Sequence, residues 1–238
     1  MRTLLSDYDG TLCPTASIKG GSSVGGTIPQ ELEQLLFCIS KRIPICIISS
    51  KDFAFLHERA KFADILSCVL GIESVIHNPH HNSNNKIKNF DCIRYQHLIA
   101  SSHSLLDNSK LLYDILKLIQ NRKDITIEEK YTSDKEILIG LTIDYRHLKN
   151  WKLFEEDTEP ILREMIQRRI NANLAPNLSS KDIPFIQQYS IHPFPDVYGI
   201  ECDKGLAFDS VLSQLRQEEI ANVMYLGDSE NDNPAFRK

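Results

Sequence analysis

Near its start the chain reads LLSDYDGTL (4–12), which places two carboxylates, Asp7 and Asp9, one residue apart directly after an apolar run. An Asp-Gly pair is ordinary turn chemistry, with Gly10 accepting a positive φ and Asp9 bonding its own backbone. That reading leaves Asp7 without a task. A carboxylate can attack phosphorus to form an aspartyl phosphate, dividing one very slow hydrolysis into two easier steps. A second acid two residues on can protonate the leaving alkoxide and later deprotonate the attacking water. At the other end, NVMYLGDSENDN (222–233) runs an apolar stretch into a further set of acids, Asp228 and Asp232. Mg2+ is held by one or two carboxylates plus waters and substrate phosphate oxygens, a role that Asp7 and Asp228 would fill. Phosphate monoesters hydrolyse so slowly that accelerations of about 10²¹-fold are known, so metal, cation and acid are all needed. Ser49, closing IPICIIS (43–49), and Lys204, in CDKG (202–205), would bond the phosphoryl oxygens, with Lys204 offsetting the charge of Asp7. Taken singly, Ser49 reads equally as a cap and Lys204 as a solvated charge.

These residues act together only if the fold brings them together. Residues 2–6 read as a strand, followed by a Gly/Ser-rich loop at 13–28 ending at Pro29, a favourable first helical position. Leu32, Leu35, Leu36 and Ile39 then follow helical spacing, and IPICIIS is the β-branched run of a strand buried on both faces. A helix over about 52–63 and a buried strand near 67–70 extend a parallel doubly wound sheet. The middle changes character. After the His- and Asn-rich 77–86 come a helix near 109–121, two half-buried antiparallel strands at 125–131 and 136–145, and a charged helix over about 148–171. That last helix offers Leu153, Ile161, Leu162, Met165 and Ile166 as its buried stripe. Two short strands near 184–192 and 197–201 complete an α+β pattern, and a helix from 204 to about 217 returns the chain to the first pattern. The expected fold is α/β: a Rossmann-like, doubly wound parallel sheet core at 1–76 and 191–238, with an inserted α+β domain at 77–190. Ligands of open α/β sheets bind outside the carboxyl ends of strands, so Asp7, Asp9, Ser49, Asp228 and Asp232 would share one crevice.

Composition narrows the classes. With 42% hydrophobic and 25% charged residues in 238, the chain has the balance of a soluble globular protein. A formal charge of −5 argues against a nucleic-acid partner, and no apolar run approaches the roughly 18 residues of a membrane span. The N-terminus enters a strand without a basic region or cleavage site, so the expected location is cytoplasmic. Cys13, Cys38, Cys46, Cys68, Cys92 and Cys202 form no CxxC pair, which points to reduced thiols. The histidines of 77–86 admit a zinc reading, but loop histidines without paired spacing are ordinarily exposed.

The ordered set DYDGTL (7–12), IISS (47–50), Lys204 in CDKG and GDSEND (227–232) resembles the four motifs of the haloacid dehalogenase superfamily of phosphatases, spanning nearly the whole chain. The resemblance implies Asp7 as nucleophile and metal ligand, Asp9 as acid/base with its carbonyl on the metal, Ser49 and Lys204 as phosphate binders, and Asp228 as metal ligand. It makes Asp232 a support for the site, positioned with the help of Asn231, and Mg2+ the cofactor. The 77–190 insertion matches the α/β cap of the IIB subclass, which closes over the site and chooses the substrate; Gly71 and Glu73 fall near the cap hinge or at a plain element boundary. The segment IEEKYTSDKEILIGLTIDYR (127–146) is similar to the cap of trehalose-phosphate phosphatases, whereas ISSK (48–51) with Lys51 is closer to mannosyl-3-phosphoglycerate phosphatases. Both imply a small phosphorylated sugar as substrate. Lys130 and Arg146 would then meet the sugar or a second anionic group, or else be two solvated strand-end charges. A phosphomutase and a catalytically impaired sugar-phosphate-binding protein stand as alternatives. Relatives normally continue past the fourth motif with a helix and at least one more strand, so a chain stopping at Lys238 is expected to be either truncated or unusually short.

Overall fold

The computed structural model of the chain describes residues 2–14, 26–76, 95–122, 125–172, 182–189 and 192–238. The chain divides into two compact units, Met1–Ile99 with Asp203–Lys238, and Ala100–Cys202. The His-rich 77–86, most of the Gly/Ser-rich loop and Cys92 lie outside the described residues.

The first unit carries β1 (Thr3–Ser6), α1 (Gln30–Ser40), β2 (Ile45–Ile48), α2 (Phe53–Arg59), β3 (Ile65–Cys68), β4 (Glu73–Ile76) and β5 (Tyr95–Leu98). After the second unit it resumes with α5 (Lys204–Gln214), α6 (Gln217–Ile220), β10 (Val223–Leu226) and α7 (Asn233–Phe236). Its six strands run in the order β10-β1-β2-β3-β4-β5. The first four are parallel, with Leu5 opposite Tyr225 on one side and Cys46 on the other. Every residue of β1, β2 and β3 is buried, the condition that favours apolar runs in a parallel sheet, here broken only by the small polar Thr3, Ser6 and Ser67. One face packs Leu5, Cys46, Ile48 and Ile65 against Ala207, Phe208 and Val211 of α5 and Ala235 of α7. Leu35, expected in the buried stripe of α1, is exposed, while Leu36 is buried.

Two expectations are corrected here. The third strand is Ile65–Cys68 rather than 67–70, because Val69, Leu70 and Gly71 turn away with φ of 49°, 54° and 86°. A left-handed valine and leucine cost about 1 to 2 kcal/mol each, and the turn returns two hydrogen bonds: Val69 N–H donates to the Lys51 carbonyl and Leu70 N–H to that of Ser49, both at 2.9 Å. It therefore braces the loop behind β2. The unit boundaries also move, from 76/77 to 99/100 and from 190/191 to 202/203. β5 pairs antiparallel with β4, which keeps it in the first sheet, and β9 (Asp196–Tyr198) pairs with strands of the second unit.

The second unit holds α3 (Ser102–Ile119), β6 (Thr126–Tyr131), β7 (Leu138–Asp144), α4 (Trp151–Ala172), β8 (Phe185–Gln187) and β9. Its strands form an antiparallel sheet in the order β6-β7-β9-β8. α3 begins seven residues before the expected position because Ser101 caps it, its Oγ accepting Ser104 N–H at 3.1 Å. Leu141, Ile143, Val197 and Ile186 face α3 and α4 in one core with Leu112, Ile115, Leu162 and Ile166. The alternate residues share the opposite sheet face: Glu128, Thr142, Asp196 and Gln187 in one row, Lys130, Gly140, Tyr198 and Phe185 in another. On α4 the buried line runs through Thr158, Leu162 and Ile166, with Phe154 and Met165 at its margin, so Leu153 at 58% and Ile161 at 43% exposure lie off the stripe assigned to them. Among the described residues no helix is long and apolar enough to cross a membrane.

Candidate active site

Three elements of the first unit meet: the ends of β1 and β10 and the start of α5. β1 delivers Asp7, whose N–H donates to the Leu226 carbonyl at 2.9 Å and so ties the end of β1 to the end of β10. β10 runs into the loop carrying Asp228 and Asp232, and α5 opens with Lys204. Asp203 caps α5 by accepting Leu206 N–H at 2.7 Å, which fixes the direction in which Lys204 leaves the helix.

Lys204 is 3% exposed and stands between two buried carboxylates, 2.9 Å from Asp7 Oδ1 and 2.7 Å from Asp232 Oδ1. These are the short contacts of charge-assisted pairs. Asp232 is saturated: Oδ1 also accepts the Tyr225 hydroxyl at 2.5 Å, and Oδ2 accepts Ser229 N–H and Oγ–H at 3.1 Å and Asp228 N–H at 3.2 Å. Burial would raise its pKa, but Lys204 and these donors outweigh it and hold the carboxyl below its ordinary value. Asp7 goes the other way. Burial pushes its carboxyl up to about 6 despite the pull of Lys204, with the negative charge of Asp232 adding to the rise. A buried cation thus divides its attention between a carboxylate whose acceptor sites are filled and one that is not fully compensated.

Asp228 is exposed and accepts Thr11 Oγ1–H at 3.3 Å, linking the β1 loop to the β10 loop. Gly10 makes that approach possible: with φ 85°, a Cβ placed on it would fall 2.1 Å from the Asp228 carboxylate. Gly227 serves the same purpose at Asp232, where a Cβ would come within 2.3 Å of the carboxylate carbon. Carboxylate oxygens of Asp7, Asp228 and Asp232 all lie within 4.8 Å of one another. An all-oxygen set of this kind suits a hard cation such as Mg2+. Because Asp232 already serves five donors, Asp7 and Asp228 are the pair suited to hold it.

Asp9 sits half-buried in the turn, its backbone bridging Cys13. Ser49 is buried just past β2, two residues beyond Ile47, the neighbour of Ser6; its Oγ accepts Lys51 N–H at 3.2 Å. Asn231 lies in the short 3-10 turn Glu230–Asp232 that Ser229 and Asp232 cap reciprocally. The structure thus joins Asp7, Lys204 and Asp232 directly and brings Asp228 within ligand range, with Asp9 and Ser49 on the adjoining loops. In the second unit, Lys130 is 1% exposed, 3.5 Å from Glu128 and 4.0 Å from Asp196. Arg146 is one-third exposed, with its Nε 2.6 Å from Asp144. Sequence reasoning missed Tyr225, Ser229 and Thr11. Ser229 was visible as a cap preceding an acidic turn; Tyr225 was hidden inside an apolar strand.

No protein-family model matches the chain, and no curated protein is similar to it in sequence. Solved structures are similar in fold. The C-terminal domain of trehalose-6-phosphate phosphatase from C. albicans is 20% identical, with a TM-score of 0.61 over 99% of this chain and 73% of that one. A trehalose-6-phosphate phosphatase related protein is 16% identical, with a TM-score of 0.62 over 99% of this chain and 81% of that one. A haloacid dehalogenase-like hydrolase from Bacteroides thetaiotaomicron is 15% identical, with a TM-score of 0.56 over 97% and 83%. This chain has the fold of those enzymes over nearly its full length.

Proposed function

We propose that the chain is a haloacid dehalogenase-type phosphatase that hydrolyses a small phosphorylated sugar through an aspartyl phosphate on Asp7, with Mg2+ as cofactor. The observation that carries this reading is the Lys204 ammonium held between Asp7 and Asp232 with the Asp228 carboxylate within ligand range. The shared fold with trehalose-6-phosphate phosphatases supports the substrate class.

With its carboxyl at about 6, Asp7 is largely ionised at neutral pH, and its buried oxygen can attack phosphorus as the ester bond breaks. Asp9 gives its proton to the departing sugar oxygen. In the second step Asp9 takes a proton from water, whose oxygen attacks phosphorus and returns Asp7 as a free carboxylate. Lys204 stays beside Asp7 throughout and balances the charge that gathers on the phosphoryl oxygens, joined by Ser49 as a hydroxyl donor. Mg2+, held by Asp7 and Asp228 and by the Asp9 carbonyl, supplies further positive charge to those oxygens when bound. The second unit's share in choosing the substrate is assigned to Lys130 and Arg146. Asn231 and Asp232 keep the β10 loop in place.

The test is phosphate release from a panel of sugar phosphates, including trehalose 6-phosphate and mannosyl-3-phosphoglycerate, with Mg2+ or with EDTA. Release that requires Mg2+ and falls about 10⁴-fold or more in Asp7→Asn is expected. Label passing into a bisphosphate would make the chain a mutase instead. Sugar-phosphate binding without turnover would make it a binding protein.

A further inference from the structure

Asp232 Oδ1 takes two donors, Lys204 Nζ at 2.7 Å and the Tyr225 hydroxyl at 2.5 Å. The same ammonium reaches Asp7 Oδ1 at 2.9 Å. Four groups therefore form one line: Tyr225, Asp232, Lys204, Asp7. We propose that Tyr225 is a positioning residue: by occupying Asp232 Oδ1 it weakens that oxygen's hold on Lys204 and sets where the ammonium stands between Asp232 and Asp7.

The argument is one of competition for an acceptor. An ionised carboxylate oxygen gives up part of its attraction for a cation when a second donor binds it. The other oxygen, Oδ2, is tied to Ser229 and to the Asp228 N–H, so the carboxylate cannot rotate to compensate. Without the phenol, Asp232 Oδ1 would answer to Lys204 alone, and the ammonium would be drawn away from Asp7. The phenol is well placed to stay a donor. It is held on β10 opposite Leu5 of β1, with Phe208 and Phe236 edge-on to its ring at centroid distances of 6.0 and 5.3 Å. Burial and the neighbouring Asp232 push its pKa far upward, so it remains protonated wherever the protein is folded. The aromatic packing fixes the ring, and the hydroxyl is what reaches the carboxylate.

The consequence for turnover rests on the phosphatase reading above; the placement of Lys204 does not. The experiment therefore follows both. In uniformly 15N-labelled protein the buried Lys204 ammonium is observed by NMR and assigned by its disappearance in Lys204→Arg, and kcat and KM are measured on the best substrate of the panel. Tyr225→Phe keeps the ring and removes the hydroxyl. It is expected to shift the Lys204 15Nζ resonance and to lower kcat about tenfold with KM changed less than threefold, since the lost contact acts on the transition state more than on binding. Phe62→Leu loosens the edge-on Phe37–Phe62 contact of the same unit and leaves the rings around Tyr225 intact, so it should lower the melting temperature while leaving both the resonance and kcat in place. An unmoved Lys204 resonance in Tyr225→Phe would sink the proposal. So would a shifted resonance with unchanged kcat in an active enzyme, the same shift in Phe62→Leu, or a Tyr225→Phe chain that does not fold, since the hydroxyl would then be serving the fold. A shifted resonance in a protein that releases phosphate from no substrate supports the placement of Lys204 by Tyr225 and refutes the phosphatase reading.

Discussion

Among the described residues each unit contains one nearly inaccessible lysine among acids, and the two are held differently. Lys204 has two carboxylate oxygens within 3 Å, both from buried residues. Lys130 has Asp196 at 4.0 Å and the more exposed Glu128 at 3.5 Å, beyond the 2.7 to 2.9 Å of a close charge-assisted bond. Asp196 spends its oxygens elsewhere, accepting the Thr142 hydroxyl on Oδ1 and the Tyr189 hydroxyl at 2.6 Å on Oδ2. Burial alone does not say what a cation is for. A lysine clamped at short range has its position chosen in advance, which is what charge stabilisation during a reaction needs. A lysine whose paired acids stand at longer range, one of them serving two hydroxyls, would be suited to meet an incoming oxygen.

The largest expected effect falls on the clamped side. Lys204→Met leaves Asp7 and Asp232 as adjacent buried charges, and should cost about 3 kcal/mol in denaturant unfolding and about 10³-fold in kcat. Next comes Asp7 itself. Its carboxyl is raised from 3.8 to about 6 in the folded protein, so its protonated form favours the folded state below pH 4 and that benefit is lost as pH rises through 6. In EDTA, the stability of Asp7→Asn relative to wild type should therefore increase by about 2 kcal/mol between pH 4 and pH 8. A flat difference across that range would show that Lys204 fully compensates Asp7. Lys130→Met should cost only about 1 kcal/mol, because two hydroxyls still serve Asp196, and should raise KM about tenfold with kcat retained. If it instead destabilises the chain as much as Lys204→Met, the contrast between the lysines disappears. The smallest effect is expected at Arg146, already paired with Asp144: Arg146→Ala should raise KM about threefold, and no change in KM or kcat would remove it from the substrate contacts.

The acids of the site were legible because their type, order and placement after apolar runs demand an explanation that turns alone do not give. The saturation of Asp232 was not, since it depends on a tyrosine hydroxyl and on loop N–H groups whose directions only folding sets. The β2 core was legible from a continuous apolar run, and β3 was read two residues late because Ser67 interrupts its run, whereas β5, with the sequence YQHL, offers neither alternation nor a run and is defined by its pairing with β4. On α4 the apolar residues outnumber the places on one face. Leu153 and Ile161 match the helical period in pairs, but Thr158 and Leu162 set the line that is buried, so composition misled where register decided. The early start of α3 was masked by polar first turns that a serine cap makes affordable.

The pairing of β1 with β10 joins residues about 220 positions apart, Thr3 with Val223. At about 5 to 20 residues per second, a ribosome that has made β1 needs roughly 10 to 45 s to deliver its neighbour. During that interval Asp7 exists without Asp228 and Asp232, and one edge of β1 has no strand beside it. Loop closure over such a separation is slow and entropically costly, so the charge balance at Lys204 is among the final events of folding. A nascent chain stalled before residue 223 would carry Asp7 and Lys204 but not the acids that hold them in register, and its exposed strand edge would be a target for chaperones or for aggregation.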